Sequence, residues 1–183
     1  MFESRLLNGN RVKLSTPLEE DLPVVAAWHQ DELFLRFASD VEAVPHSIES
    51  IKAWYLSDER QRILFGVRTV AGSELVGFLG VQILSWPHRQ AEFTIGIAPD
   101  AWDQGYGTEA LELGLSFCFR ELNLHRIQVK VFSYNERALH VFRKLGFTAE
   151  GTFREYLRRG GKWHNMLLLS MLAREWRARR DGS

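Results

Sequence analysis

The strongest constraint on the fold is a change of hydrophobic period near residue 103. The stretch "EFTIGI" has a period of two residues, so Phe93, Ile95 and Ile97 are expected on one face of a strand. The stretch "EALELGLSFCFREL" has helical spacing instead, and its apolar stripe consists of Leu111, Leu115, Cys118 and Leu122. Because "DQGYGT" lies between the two, the sequence predicts a strand, a glycine turn and a helix in succession.

The same two periods predict the remaining elements. Branched and aromatic runs predict strands in "RVKLSTP", "RILFGVRTV", "ELVGFLGVQIL", "RIQVKVF", "FTAEGTFREYL" and "KWHNMLLLSML". Helices are predicted in "LEEDLPVVAAWHQD", "SIESIKAWYL" and "NERALHVFRKLG", with Ser47 and Asn135 as caps and Gly146 as the last terminator. In the helix predicted in "NERALHVFRKLG", the apolar stripe is expected at Ala138, Val141, Phe142 and Leu145. The order β, α, α, β, β, β, α, β, α, β, β indicates an α/β (α+β) fold, with helices on the faces of a mixed sheet.

Length and composition favour one domain. The 183 residues are 45% hydrophobic and contain no linker-like stretch, so we expect a single domain over residues 1–183. The N-terminal "MFESRLLNGN" lacks the features of a signal peptide, and no apolar run approaches the about 20 residues that span a bilayer. The single cysteine, Cys118, cannot form an internal disulfide, which fits a reducing compartment. We therefore expect a soluble cytoplasmic protein that does not enter a membrane.

The charges are unevenly distributed along the chain although they sum to zero. Residues 1–60 carry 6 Lys/Arg against 11 Asp/Glu, whereas residues 120–183 carry 14 against 6. One interpretation is that clusters such as "RRG" and "REWRARR" are solvated faces and a frayed tail. The other places an anionic ligand toward the C-terminal half and a cationic ligand toward the N-terminal half. Neither interpretation predicts direct nucleic-acid binding.

The glycines of "DQGYGT" also allow two interpretations. A tight turn between a strand and a helix is the simpler one. Alternatively, the unpaired N–H groups at the helix start, which carry about half a positive charge, bind a phosphate that the glycines allow to come close. The lysine of a Walker A loop is missing and the three-glycine dinucleotide motif is incomplete, so neither of those phosphate sites is predicted.

Three separated segments carry a resemblance to a known family: "AEFTIGIAPDAWDQGYGTEAL", "NERALHVFRKLGFTAEGTFRE" and "GGKWHNMLLLSMLAREW". They resemble the GCN5-related N-acetyltransferase (GNAT) superfamily, and within it the RimJ/RimL branch of ribosomal-protein N-terminal acetyltransferases. The resemblance covers residue 11 to about residue 177. It implies a mixed, mostly antiparallel twisted sheet of about seven strands with helices on both faces. It also implies acetyl-CoA as co-substrate and a primary amine as acceptor.

The resemblance assigns the glycine turn to the pyrophosphate of acetyl-CoA. The superfamily loop runs Gln or Arg, two residues, Gly, one residue, then Gly or Ala, and Trp102 stands here where Gln or Arg is usual. This departure matters little if the loop binds the pyrophosphate through its backbone N–H groups. The implied phosphate-binding residues are Gln104, Gly105, Gly107 and Thr108. The pantetheine arm is implied to pair along the strand edge near Ile95 and Ile97 and to contact Asn135, which is also a helix cap.

The same resemblance supplies one catalytic candidate. Glu92 lies on the strand before the loop, opposite to the face of Phe93, at a position where some members of the superfamily use a glutamate as general base. A pairing of Glu92 with a neighbouring Arg or Lys is the alternative. Phe142 and Ala138 occupy the usual positions of the acidic tyrosine and serine, so neither residue can donate a proton. Tyr134 and Ser133 are less expected donors, and solvent suffices for a thiolate whose thiol has a pKa of about 8.5. The histidines show no metal-ligand spacing, so no metal is expected.

This limited machinery favours an acceptor that loses its proton easily. At pH 7, deprotonating a lysine costs about 4 to 5 kcal/mol, whereas an α-amine costs about 1 kcal/mol. We therefore expect a protein N-terminal α-amine. The alternatives are a small-molecule amine, such as an amino acid, polyamine or antibiotic, and a non-catalytic acyl-CoA-binding module. The acidic "EED" and "DE" stretches suit a cationic acceptor. The candidates to line its pocket are Trp28, Trp54 and Trp86. We expect a monomer or a homodimer.

Overall fold

The computed structural model describes residues 6–38, 44–57 and 59–181. Its helices are α1 (Leu22–Trp28), α2 (Glu32–Ala38), α3 (Ile48–Tyr55), α4 (Tyr106–Arg120), α5 (Glu136–Leu145) and α6 (Ala173–Asp181). Its strands are β1 (Val12–Ser15), β2 (Arg62–Thr69), β3 (Leu75–Ser85), β4 (Gln90–Ile97), β5 (Arg126–Phe132), β6 (Thr148–Arg159) and β7 (Lys162–Leu172). Single 3₁₀ turns precede α1 at Glu19–Asp21 and α4 at Pro99–Ala101.

The seven strands form one sheet in the order β1-β2-β3-β4-β5-β7-β6. Antiparallel pairing joins β1 to β2, β2 to β3, β5 to β7, and β6 to β7. The pair β4–β5 is parallel, with Gln90 opposite Arg126 and Glu92 opposite Gln128. The predicted mixed, mostly antiparallel sheet of about seven strands is therefore confirmed. No helix within the described ranges is long and apolar enough to cross a bilayer.

Two compact units make up the described chain. The first contains the residues up to Gln82 together with Thr94–Phe117, and the second contains Ile83–Phe93 and the residues from Cys118 onward. In the first unit, helices cover both faces of the sheet, as predicted. The ring centres of Trp54 on α3 and Phe78 on β3 lie 5.0 Å apart. The ring centres of Phe117 on α4 and Phe65 on β2 lie 5.3 Å apart. Phe65 and Phe78 occupy adjacent cross-strand pairs, so their side chains emerge on opposite faces.

A buried ion pair anchors the first unit. Asp21 in the 3₁₀ turn and Arg68 on β2 are 3% and 8% exposed, and Arg68 Nη2 lies 2.5 Å from Asp21 Oδ1. The other carboxylate oxygen accepts hydrogen bonds from the Tyr55 hydroxyl at 3.1 Å and from the Leu18 N–H at 2.8 Å. Burial and then the charge of Asp21 raise the pKa of Tyr55. Because every oxygen of the carboxylate has a donor, the charge can be buried.

The second unit is built around β5, β6 and β7, and α5 shows how its helices begin and end. Asn135 Oδ1 accepts the Ala138 N–H at 3.1 Å, and Gly146 ends the helix with φ of +95°. Both predicted boundaries are thus confirmed. The predicted stripe is shifted, because Leu139 is buried beside Phe142 and Leu145 whereas Ala138 and Val141 are only half-buried.

One helix was not predicted, and two other predictions about elements were wrong. Helix α2 was not predicted, although Asp31 Oδ1 accepts the N–H of Phe34 at 2.8 Å and so caps its first turn. The "REWRARR" stretch is not a frayed tail but most of α6, whose Trp176 packs 5.4 Å from Phe119. Helix α4 ends at Arg120, so Leu122 lies outside it.

Candidate active site

The glycine turn is a tight loop that leads from β4 into α4. Two of its residues have left-handed backbone conformations, Asp103 with φ of +59° and Gly105 with φ of +81°. Glycine adopts this conformation without steric cost and aspartate is among the residues that tolerate it, so both residue types suit the turn. The first intrahelical bond runs from the Glu109 N–H to the Gly105 carbonyl at 3.1 Å. The N–H groups of Tyr106, Gly107 and Thr108 precede that bond and point out of the helix end.

Side chains hold this loop from three directions. The Trp102 indole N–H donates to the Ile97 carbonyl at 2.8 Å, and Gln104 Nε2 donates to the Asp100 carbonyl at 3.2 Å. Arg11, which precedes β1, donates from Nη1 to the Gln104 carbonyl at 2.7 Å. Trp102 therefore replaces the usual Gln or Arg of the loop with a contact that joins the end of β4 to the turn. Arg11 places an exposed positive charge beside the loop.

A carboxylate on the first turn of α4 ties the loop to the start of β1. Glu109 accepts the backbone N–H groups of Asn10, Arg11 and Val12 at 2.9, 2.8 and 2.7 Å. Gly9 makes room for this carboxylate, since a Cβ there would lie 2.6 Å from Glu109 Cδ. Sequence reasoning missed both Arg11 and Glu109. Their partners lie more than 90 residues away along the chain, so no local pattern marked them.

The loop fits a diphosphate on the evidence of its own backbone. Three N–H groups point from the end of a 15-residue helix, where the dipole favours negative charge. A Cβ at Gly107 would have a single neighbour within 4 Å, Ile97 Cγ1 at 3.4 Å, so the outer side of this residue is open. Gln104 uses its side chain and its carbonyl within the loop, which leaves its backbone N–H for a ligand.

The strand residues before the loop alternate as predicted. The side chain of Ile97 lies on the side of α4, near Gly107, whereas a Cβ at Gly96 would lie 2.6 Å from Phe78 and 3.1 Å from Phe34 on the opposite face. Ile95 and Ile97 are both half-buried, so part of this strand edge is accessible. The Ile97 carbonyl already accepts the indole N–H of Trp102, which leaves it one lone pair for another donor.

The candidate base lies in the second unit and has internal partners. Glu92 is 22% exposed, and its Oε2 lies 3.1 Å from Lys130 Nζ. Gln128 Nε2 donates to the same oxygen at 2.8 Å. The pairing with a neighbouring lysine, which the sequence left open, is therefore present. Partial exposure also leaves the carboxylate accessible to water.

The positions of the usual tyrosine and serine hold residues with structural contacts. Phe142 is a 2% exposed core residue, and Ala138 donates its N–H to the Asn135 cap. The ring of Tyr134 stacks on that of Phe132, with ring centres 5.3 Å apart, and its centre lies 4.9 Å from that of the His164 ring. Burial raises the pKa of the Cys118 thiol, and this residue is fully buried, so the prediction of a core cysteine is confirmed. No cluster of metal-ligating side chains occurs in the parts of the chain that are described.

A pocket opens on the first unit, on the face of β2 and β3 that α3 covers. It encloses about 300 Å³, including the open space at its mouth, and is lined by residues that include Trp54, Arg62, Phe78, Gln82 and Thr94. Of the three tryptophans predicted as candidates, only Trp54 lines it. Trp28 packs in the core 5.8 Å from Phe34, and Trp86 is exposed in a turn. Arg62 was not predicted, because a single arginine at a strand start carries no sequence signal.

The predicted donor-binding residues are distributed over both units. Six belong to the first unit: Ile95, Ile97, Gln104, Gly105, Gly107 and Thr108. Within that unit the structure brings Ile97 next to Gly107 and joins Gln104, through Arg11, to the start of β1. Glu92 and Asn135 belong to the second unit, where Glu92 pairs with β5 residues and Asn135 caps α5.

Comparisons with known proteins agree with this loop and fold. A family model described as an acetyltransferase (GNAT) domain matches residues 11–148. The spermidine N(1)-acetyltransferase of Escherichia coli (strain K12) is 31% identical over 105 residues, which are 57% of this chain and 56% of that protein. The putative ribosomal N-acetyltransferase YdaF of Bacillus subtilis (strain 168) is 27% identical over 183 residues, 96% of this chain and 98% of that protein.

A solved structure gives the same fold. The spermidine N-acetyltransferase from Vibrio cholerae, in complex with CoA and spermine, superimposes with a TM-score of 0.82 at 23% identity, over 92% of this chain and 99% of that chain. The family match covers well over half of the 183 residues and includes the whole glycine loop. The chain belongs to the GNAT family and is an acetyl-CoA-dependent N-acetyltransferase.

Proposed function

We propose that this enzyme acetylates an α-amine, and that its acceptor is a protein N-terminus, as in the RimJ/RimL branch. The observation that supports the proposal is that acidic residues near α1 and α2 form ion pairs within the protein. Glu19 pairs with Lys52 at 2.7 Å, Asp21 with Arg68 at 2.5 Å, and Glu32 with Arg36 at 2.5 Å. A polyamine is bound by several carboxylates, and among these described residues Asp21 is committed to a buried pair while Glu19 and Glu32 are exposed with a cation beside each, so this surface offers fewer unpaired carboxylates than its sequence suggests.

The donor site of the proposal uses backbone more than side chains. The N–H groups of Gly105, Gly107 and Thr108, with that of Gln104, would hold the diphosphate of acetyl-CoA, and the positive charge of Arg11 lies beside them. The edge of β4 at Ile95 and Ile97 would pair with the pantetheine arm, and the side-chain amide of Asn135 would contact the same arm. Acetyl-CoA supplies a thioester carbonyl that a neutral amine attacks.

We assign the general base to Glu92. Its carboxylate is held in place by Lys130 and Gln128, yet it is accessible enough to accept a proton directly or through one water. An α-amine has a pKa near 8, against about 10.4 for a lysine, so a single exposed carboxylate and solvent can deprotonate it. The sulfur leaves as a thiolate and takes its proton from water. This chemistry matches a site whose usual tyrosine and serine positions hold Phe142 and Ala138.

A small-molecule amine is the second candidate, and the spermidine N(1)-acetyltransferase relative favours it. The pocket beside Trp54 is a shallow, open site in which a compact amine or the first side chain of a peptide would be only partly enclosed. We retain three further predictions: a single domain over residues 1–183, a cytoplasmic location, and a monomeric or homodimeric state. The family match from residue 11 to 148 supports the first of these, because it includes parts of both units.

Thiol release tests the proposal directly. The enzyme is incubated with acetyl-CoA and, in parallel, with peptides that have free N-termini, the same peptides with blocked N-termini and a free lysine, and spermidine. We expect free CoA only with unblocked N-termini. Release with spermidine alone would replace the proposal by the second candidate, and release with the blocked, lysine-containing peptides would move the acceptor to a side chain.

A further inference from the structure

The pocket on the first unit has an apolar wall and one cationic residue. The rings of Trp54 and Phe78 lie 5.0 Å apart, nearly perpendicular to each other, and form one side. Leu64 lies beside them, and Gly80 forms part of the floor, where a Cβ would make ordinary contacts with Leu64 and Thr94 at 3.6 and 3.7 Å. Gln82 and Arg62 stand opposite each other on β3 and β2 at the polar side. None of the described residues that line the pocket carries a carboxylate.

Arg62 is only partly satisfied by its neighbours. Its Nη1 donates to the Trp54 carbonyl at 2.8 Å and to the Ser57 hydroxyl at 2.7 Å. Its Nη2 is buried and has no hydrogen-bond partner in the described part of the chain. The guanidinium carbon lies 5.1 Å from the centre of the Trp54 ring, a distance at which a cation is attracted by the ring face. Burial lowers the pKa of Arg62, and the charge of Glu59 acts in the opposite direction.

An unsatisfied guanidinium edge in a pocket is costly unless a ligand completes it. Guanidinium is weakly hydrated, always charged at neutral pH and shaped to bind a carboxylate with two parallel hydrogen bonds. Two of its donors are fixed by the backbone of Trp54 and by Ser57, so its orientation is already set. A polycation in the same pocket would meet the like charge of Arg62, and no described lining residue adds a carboxylate, although Glu59 lies close enough to Arg62 to act on its charge.

We infer that Arg62 is a specificity residue that binds a carboxylate of the acceptor, so that the preferred substrate is an α-amine whose own molecule carries a carboxylate. The inference rests on the proposed α-amine acetylation. The carboxylate comes either from an acidic first side chain of a protein N-terminus or from the α-carboxyl group of a free amino acid. In both cases the aromatic wall of Trp54 and Phe78 packs against the apolar part of the acceptor.

Matched acceptor pairs separate these sources. The first arm compares peptides that begin with Asp or Asn, and with Glu or Gln, which differ only in the side-chain charge. The second arm compares a free amino acid with its carboxamide, for example phenylalanine with phenylalaninamide. We expect the carboxylate member of one arm to have a kcat/KM about tenfold to a hundredfold higher, since a hydrogen bond to a charged group contributes that much.

Substitutions then identify the residue that makes the distinction. Arg62→Met should reduce the carboxylate preference to about one, and Arg62→Lys should retain part of it because the charge remains. Arg60→Met removes an exposed cation of the same loop and should leave the preference unchanged. A merely structural role of Arg62 would lower the activity toward both members of a pair equally and would leave their ratio intact.

A second variant keeps the test decisive if Arg62→Met does not fold. Gly80→Ala adds a methyl group to the pocket floor at ordinary contact distances, so the fold should tolerate it. It should raise KM for both members of a pair if this pocket holds the acceptor. An equal rate for both members in both arms with the wild type would overturn the inference and leave α-amine acetylation standing. Activity on spermidine but on no α-amine would overturn both.

Discussion

The carboxylate of Glu109 lies 2.7 Å from the backbone nitrogen of Val12 and joins the first turn of α4 to the first residue of β1. The N–H groups of Asn10 and Arg11, just before β1, also donate to this carboxylate, and the side chain of Arg11 donates to the Gln104 carbonyl in the loop before α4. The conformation of the glycine loop is therefore coupled to a segment almost 100 residues earlier in the chain. A substitution at Glu109 should therefore alter the conformation of the loop even though Glu109 itself does not contact a ligand.

Glu109→Gln should weaken acetyl-CoA binding and lower the free energy of unfolding. A carboxylamide has one acceptor oxygen where the carboxylate has two, and its NH₂ group would face N–H donors, so at least one donor is left unpaired at a cost of about 1 to 3 kcal/mol. Urea unfolding and titration calorimetry with CoA measure the two effects. Glu112→Gln, one turn later and exposed, is the control and should change neither. Unchanged CoA affinity in Glu109→Gln would show that the loop does not depend on this carboxylate.

Gly107→Ala tests the loop at its closest approach to a ligand. The added methyl group meets only Ile97 Cγ1 at 3.4 Å, and the backbone of Gly107 is not left-handed, so the fold should persist. A diphosphate packed against the backbone would lose about 1 to 3 kcal/mol of binding free energy to the crowding. CoA titration measures this loss. Gly151→Ala is the matched control, because a Cβ at Gly151 has no neighbour within 4 Å. Equal affinity in both variants would mean that the ligand does not approach Gly107.

The elements that the sequence predicted well are those whose own residues set their boundaries. Asn135 and Gly146 start and end α5 through contacts within four residues, and local pattern was enough. Helix α6 was missed because it is strongly polar and only Ala173 and Trp176 are buried, so its sequence is that of a solvated tail. Its helical state depends on packing, such as the contact of Trp176 with Phe119.

The residues of the candidate site also fall into those that a local sequence pattern could predict and those that it could not. The glycine loop could be predicted because helix-end geometry demands a specific short sequence. Arg11, Glu109 and Arg62 could not, because each acts through backbone groups that the fold brings together from elsewhere. The acidic "EED" and "DE" stretches were predicted to suit a cationic acceptor. The structure shows that Asp21 is buried and pairs with Arg68, whereas Glu32 is exposed and lies beside Arg36, a difference that no single-sequence pattern reveals.

Asp21→Asn should be among the most destabilising single substitutions in the first unit. It leaves Arg68 buried at 8% exposure without its carboxylate, and breaking a buried ion pair in this way costs about 3 to 5 kcal/mol. Chemical denaturation followed by circular dichroism measures the loss. Glu19→Gln breaks the exposed pair with Lys52 and should leave the midpoint almost unchanged. Similar midpoints for the two variants would show that the Asp21 network is not the anchor that its burial indicates.

Stability at low pH should depend on Glu150 in the second unit. Hydrogen bonds from Arg126 and then Ser170 lower the pKa of this carboxyl group from 4.5 to about 2. Because the folded pKa lies below the unfolded one, the stabilisation is complete above about pH 4.5 and is lost as the pH falls toward 2. Glu150→Gln should flatten the decline of unfolding free energy across this window, whereas Glu121→Gln, an exposed carboxylate, should not. The same slope in wild type and Glu150→Gln would contradict the assignment.

Glu92→Gln separates a catalytic carboxylate from a structural one. If Glu92 accepts the proton of the attacking amine, kcat should fall about 10²- to 10⁴-fold while CoA affinity is kept, since general base catalysis contributes that much. Lys130→Met breaks the same ion pair, whose atoms lie 3.1 Å apart, but leaves the carboxylate and its Gln128 partner in place. It should therefore lower stability to a similar extent as Glu92→Gln with a far smaller effect on kcat. Equal kcat values for the two variants, measured by thiol release with a saturating acceptor, would reduce Glu92 to a partner of Lys130 and assign the deprotonation to solvent.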